Sequence, residues 1–157
     1  MGHEKWIEID SFQWSAGSRS SGAGGGGGGG AGKVSLSDFT IVKQLDKASP
    51  ILFQDAAQGK HIASGILELI SPNGQFVVDY KLSDIYISAV QEQSGANNPV
   101  PLEQVSLNFS KIEMDYTPNN ADGAPGPTVV GLVTQKGGQA PALAATRLTV
   151  YGSVNVR

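Results

Sequence analysis

The 157-residue chain contains no cysteine, which excludes a disulfide framework and any thiolate metal site. That fits a reducing compartment, though many exported bacterial proteins share the feature. Basic residues are few: 11 Lys and Arg against 14 Asp and Glu give a net charge of −3, with no basic stripe of the kind that phosphate neutralisation requires. A nucleic-acid partner is therefore not expected. No apolar run approaches the roughly 18 residues of a membrane helix. Met1-Gly2-His3-Glu4-Lys5-Trp6 has no apolar h-region, so neither a Sec signal nor a membrane span is expected. Trp6 also stands where a myristoylation signal needs Ser or Thr. No internal repeat is visible.

What the chain does have is glycine, 21 residues of it, with 39% apolar and only 16% charged residues. Its length suits one domain with a single core. Alternation then reveals strands. Apolar residues at Ile7, Ile9, Phe12 and Trp14 form two period-2 runs with a register change near Asp10-Ser11, the mark of a bulge or bend. Residues 17–32 are almost wholly Gly, Ser and Ala, and glycine this dense predicts a flexible loop. Val34 to Val42 is the next strand, with another slip in phase.

Ser49-Pro50 and Gly59 bracket a short helix over residues 49–58, with Ser49 as N-cap, Pro50 at the first helical position and Gly59 just past the end. Leu52, Phe53 and Ala56 are the expected docking face. Strands follow over His61–Ile70 and, after the hairpin turn Ser71-Pro72-Asn73-Gly74, over Gln75–Gln91 as one bent strand or two. Ser94–Pro101 reads as a loop, and Leu102–Thr117 alternates clearly with a slip at Ser110-Lys111. A loop at Asn119–Pro127, a strand at Thr128–Gln135, a Gly/Ala/Pro linker at Lys136–Ala145 and a last strand at Arg147–Val156 complete the chain. The expected fold is mainly β: a compact barrel of two sheets with one short helix.

Motifs for chemistry fail on context. Gly27 to Lys33 satisfies G-x-x-x-x-G-K, but Val34 stands where magnesium coordination needs Ser or Thr, and Lys33 opens a strand where a phosphate site needs a helix N-terminus. His3 and His61 are the only histidines and have no second ligand at metal-binding spacing; His61 reads as a packing or capping residue. Asp38, Asp46, Glu68, Asp79, Asp84, Glu103, Glu113 and Asp115 are scattered and read as solvated outward positions, although a carboxylate pair for hydrolysis is the competing reading. No serine sits in a nucleophile elbow. Trp6, Phe12 and Trp14, without interleaved basic residues, read as core and interface aromatics. No catalytic residue, metal site or cofactor is expected.

The run Gly30-Ala31-Gly32-Lys33-Val34-Ser35, Asp38-Phe39, Asp46-Lys47-Ala48-Ser49-Pro50, Leu52-Phe53, Ala57 and Gly59-Lys60-His61-Ile62 resembles the Hcp family, the tube protein of bacterial type VI secretion systems. Val105–Pro118, Asn120-Ala121-Asp122-Gly123 and the His3–Trp14 segment are similar to the same family, so the resemblance spans roughly residues 3–132. It implies a structural, non-enzymatic subunit. Six copies would form a ring, and rings would stack into a tube driven out by a contractile sheath, behind a spike and carrying effector proteins. Such a protein resides in the bacterial cytoplasm before firing and is then secreted. The resemblance marks Gly22, Gly25, Gly28, Gly30, Gly32 and Lys33 as the loop reaching toward neighbouring subunits, and Ser49, Pro50 and Gly59 as helix caps. Family members usually carry a strand before the His-Glu-Lys-Trp position and end soon after the strand at 128–135. The strand Arg147–Val156 is accordingly expected to fill that first slot, with a domain swap between neighbours or a simple outer edge strand as the rival readings. An effector-binding carrier or secreted module that does not polymerise is the alternative function.

Overall fold

The structure, a computed structural model, describes residues 5–19, 33–134 and 147–152. Its elements are β1 (Ile7–Ile9), β2 (Ser11–Gln13), β3 (Ala16–Arg19), β4 (Lys33–Leu36), β5 (Phe39–Gln44), α1 (Ser49–Gln58), β6 (Ile62–Ile70), β7 (Phe76–Gly95), β8 (Asn98–Asn108), β9 (Lys111–Pro118), β10 (Val129–Thr134) and β11 (Arg147–Gly152).

A long bent hairpin organises these elements. β7 is a single strand of 20 residues. Its second half pairs with β8, from Gly95↔Asn98 to Tyr86↔Asn108, and its first half pairs with β9, from Ser83↔Lys111 to Phe76↔Pro118. The expected loop at 94–101 shrinks to Ala96-Asn97, because the ladder runs almost to the tip. The slip at Ser110 separates β8 from β9. It lies directly across from Asp84, the described non-glycine residue with positive φ, at 53°. Ser110 answers that kink: its N–H donates to Ser83 O at 3.0 Å and its Oγ to Asp84 Oδ2 at 2.7 Å. The other Asp84 oxygen, Oδ1, lies 3.0 Å from His61 Nε2. A strained backbone persists only when its surroundings over-determine it, and these contacts do so.

Either side of the bend the hairpin collects different partners. β6 pairs antiparallel with the first half of β7, and β11 lies parallel between β6 and β1. β5 pairs antiparallel with β8 and carries β2, while β10 extends the sheet beyond β9. β3 and β4 form a separate two-stranded ribbon. The fold is mainly β with one helix among the described residues, as the alternation indicates. It is not a closed barrel: the hydrogen-bonded path runs β1-β11-β6-β7-β8-β5-β2 and has two ends. Those ends flank a single residue, Asp10, whose N–H donates to Val42 O at 2.7 Å. The register change seen at Asp10-Ser11 divides the first strand, so its two halves join opposite ends of the path.

The core fills the space between the two arms. Phe39, Ile41, Leu67, Val78, Leu82, Ile85, Val105, Leu107 and Ile112 are all buried, each from the inward phase of its strand, and Phe109 is buried at the break between β8 and β9. Phe12 stacks on Phe39 at 5.6 Å and packs on Tyr80 at 5.1 Å, with Trp14 beside them. These aromatics are core residues and present no stacking platform. The turn before β7 is the expected one, with Gly74 at φ 67° and its N–H bonded to Ser71 O. In the glycine segment the β3–β4 ladder claims residues 17–19, so strand structure extends into the expected loop.

The bend predicts its own sensitivity. Asp84→Ala places an unsuitable residue at positive φ and removes the acceptor for Ser110, and is expected to cost about 2–3 kcal/mol. Asp84→Asn, which tolerates positive φ and keeps an acceptor, should cost clearly less; urea unfolding of the two variants measures the difference.

Candidate functional site

Helix α1 begins differently from the sequence expectation. Its N-cap is Ala48, with no side-chain cap bond; Ser49 is the first helical residue and Pro50 the second. Ser49 is buried at 3% exposure because its hydroxyl belongs to a polar cluster under the helix. Its Oγ donates to Glu103 Oε2 at 2.7 Å and accepts from the Asp46 N–H at 3.0 Å. Lys43 Nζ reaches Glu103 Oε2 at 2.8 Å, Gln44 O at 2.9 Å, Asp46 Oδ1 at 3.0 Å and Ser49 Oγ at 3.1 Å. Asp46 Oδ1 also accepts from the Ala48 N–H. The segment Asp46-Lys47-Ala48-Ser49-Pro50 is thus a turn built around a buried ion pair. Gly59 ends the helix as expected, left-handed at φ 61° with its N–H on Ala56 O.

Lys43 and Glu103 are 0% exposed and lie opposite each other on β5 and β8. Glu103 therefore contradicts the reading of the carboxylates as solvated outward positions. The signal was present: Lys43 follows Phe39 and Ile41, and Glu103 precedes Val105 and Leu107, each in the apolar phase of its strand. Opposite charges in the same phase of two strands announce a buried pair.

Neither polar cluster is arranged for catalysis. Ser49 and Lys43 are within hydrogen-bond reach, but an ammonium that donates to a carboxylate, a carbonyl and a hydroxyl has no lone pair with which to take a proton. At the bend, Asp84 stands between Ser110 and His61, so the hydroxyl donates to a carboxylate and no imidazole is placed to activate it. His61 instead packs its ring on Tyr86 at 5.2 Å, the structural role expected of it. Lys81 Nζ lies between Glu113 Oε1 at 3.3 Å and Asp115 Oδ2 at 2.5 Å. Asp38 accepts from Ser88 and Asn108. Among the described residues no group of three His, Cys, Asp or Glu is arranged to hold a metal.

What stands out is apolar surface. On α1, Leu52 packs into the core, whereas Phe53 is 62% and Ile51 60% exposed. Phe53 therefore leaves the expected docking face, which is formed by Ser49, Leu52 and Ala56 at helical spacing. Phe53, Pro50, Leu45 and Val90 line an open groove of about 600 Å³ together with Asp46, Ser49 and Glu92. A second apolar surface lies on the wing formed by β9 and β10. The exposed residues divide between its two faces: Val129, 66% exposed, lies with Met114 and Tyr116 on one, and Val130 and Leu132, 57% and 55% exposed, lie on the other opposite Asp115 and Glu113. β10 pairs with β9 alone among the described strands, so its other edge carries no described ladder. Gly22, Gly25, Gly28, Gly30 and Gly32 lie outside the described residues, and Lys33 opens β4 opposite Arg19.

Two outcomes follow from this electrostatics. Glu103→Ala leaves the Lys43 ammonium buried without its main counter-charge and is expected to cost about 3–5 kcal/mol, most of it recovered in the Lys43→Met, Glu103→Leu double variant. Urea unfolding of the wild-type protein and both variants checks this. The hydrogen bond from Lys81 to Asp115, outweighing burial, raises the Lys81 pKa above 10.5, and burial raises that of Tyr80 above 10.0. Both groups contribute stability that is whole below those unfolded-state values and is lost as pH climbs through the raised ones. Alkaline unfolding followed by circular dichroism should begin near pH 10, with Tyr80→Phe holding on to higher pH.

With the geometry in place, comparison gives a consistent result. Residues 1–116 match the family described as type VI secretion system effector, Hcp. Protein hcp1 of Pseudomonas aeruginosa is 36% identical over 95 residues, and the chain spans 59% of that protein's length. The fold is similar to that of a type VI secretion system effector from Yersinia pestis, with a TM-score of 0.60, 22% identity and coverage of 82% of this chain and 83% of that one. It is likewise similar to Hcp1 from Salmonella typhimurium, with a TM-score of 0.58, 23% identity and coverage of 82% and 79%. Hcp is a structural, secreted component of its system and not an enzyme family. By the match across residues 1–116, the chain belongs to the Hcp family of the type VI secretion system.

Proposed function

We propose that this chain is a tube subunit: six copies close into a ring, and rings stack into the inner tube of a type VI secretion system. That tube would be a conduit and carrier for effector proteins inside a contractile sheath and behind a spike, held in the cytoplasm until firing and then secreted.

The observation that carries the reading is the presence of two unlike apolar surfaces on one subunit, the α1 groove around Phe53 and the β9–β10 wing around Leu132. A dimer about a two-fold axis uses the same patch twice. Two different patches that fit each other give a head-to-tail contact, which closes into a ring or grows as a filament. Burying each of these exposed Leu, Ile and Phe side chains would contribute about 1.5–3 kcal/mol, so a few of them per contact stabilise an oligomer. The β10 edge, unpaired among the described strands, adds backbone donors and acceptors to the same surface. The glycine segment between β3 and β4 is proposed as the contact toward the next ring, positioned by that ribbon.

Negative-stain microscopy and mass measurement of the full chain should show rings. Phe53→Glu and Leu132→Glu should each yield monomers with unchanged circular dichroism. Mixed together, the two variants retain one good pair of surfaces and should form a heterodimer. Rings from either variant alone, or no association on mixing, would refute the head-to-tail contact.

A further inference from the structure

The gap between β1 and β6 is filled in an unusual way. Every other described ladder in the fold is antiparallel, whereas β11 is parallel to both of its neighbours. Ile7↔Val150↔Leu67 and Ile9↔Gly152↔Leu69 share rows, and β1 and β6 have no ladder with each other. The family match ends at residue 116, so the strand joining two edges of the matched region begins 31 residues beyond it (147 − 116).

Registers also show how this strand arrives. Thr134 pairs with Lys111, Lys111 with Ser83, Ser83 with Ser64, and Ser64 with Arg147. The end of β10 and the start of β11 therefore lie on one row, four strand spacings or about 19 Å apart. The twelve residues 135–146 reach about 40 Å when extended, twice what is needed. Leu148, Thr149, Val150 and Tyr151 are strong strand formers, and a ladder on both edges supplies backbone bonds that depend little on sequence.

We propose that the channel between β1 and β6 is a strand-acceptor site and that Arg147–Gly152 is its tethered peptide ligand, held by parallel augmentation and exchangeable once the tether is cut. The site takes an extended peptide, six residues long in its paired part, with its N-terminal end at the Ser64 row. Anything attached to such a peptide would be carried on the subunit by this strand.

The test uses the full chain with a protease site placed within residues 135–146. After cleavage, the C-terminal fragment should co-elute with the body on size exclusion, and an excess of fluorescent peptide spanning 147–157 should replace it. The same peptide with Thr149→Pro, which lacks a ladder N–H, should compete at least tenfold less well. Loss of the fragment from a body that stays folded, or no uptake of the peptide, overturns the proposal. If the cut protein precipitates, rescue by added peptide supports the site and failure of rescue overturns it. In the uncut chain, which has no other cysteine, Ser64→Cys with Arg147→Cys should form a disulfide within one chain; absence of that link overturns the proposed register.

Discussion

The kink of β7 at Asp84 is the constraint on which the architecture rests. One strand serves two sheet arms only because it changes direction there, and β8 and β9 follow it because Ser110 and His61 hold both carboxylate oxygens of Asp84. Apart from the separate β3–β4 ribbon, every other described strand is placed by this hairpin. β6, β11 and β1 belong to the first half, β5 and β2 to the second, and the wing of β9 and β10 to the outer edge. The apolar core is what the two arms enclose.

A second constraint fixes the helix. A buried ion pair yields little net stability, since desolvation offsets its attraction, but an unpaired partner is heavily penalised. Lys43 and Glu103 therefore specify a geometry: Ser49 has to enter the cluster, which sets where α1 starts, and that start orients Phe53 and Ile51 outward. The apolar groove used in the proposed subunit contact is thus a consequence of polar chemistry beneath it. Within the cluster the Ser49–Lys43 contact is buried and the ammonium is fully engaged as a donor.

Much of this was legible. Alternation located the strands around residues 61–70, 75–91 and 102–117, and the slips at Asp10 and Ser110 marked real breaks; the single strand expected over 34–42 is instead two, β4 and β5, in different sheets, broken at the phase slip between them. Gly59 and the Asn73-Gly74 turn have the local conformations their residue types favour. Ser49 misled because its residue type suits an N-cap, while its true partners sit 6 and 54 residues away. Phe53 misled because adjacent helical residues lie about 100° apart, so Leu52 and Phe53 need not share a fate. The loop at 94–101 was overdrawn because Gly and Pro there interrupt the pattern without ending the ladder.

By itself the sequence determined the class of structure, the absence of thiolate chemistry and long membrane helices, and the resemblance to the Hcp family. These properties depend on composition, on local period and on motifs that are contiguous in the chain. Only the tertiary structure decided which strands are neighbours, that the path of strands stops at Asp10 rather than closing, that Lys43 meets Glu103, and that β11 lies parallel between β1 and β6. Each of those facts is a pairing across long sequence separations. A period of two says which face a residue takes, but it carries no information about which strand lies alongside.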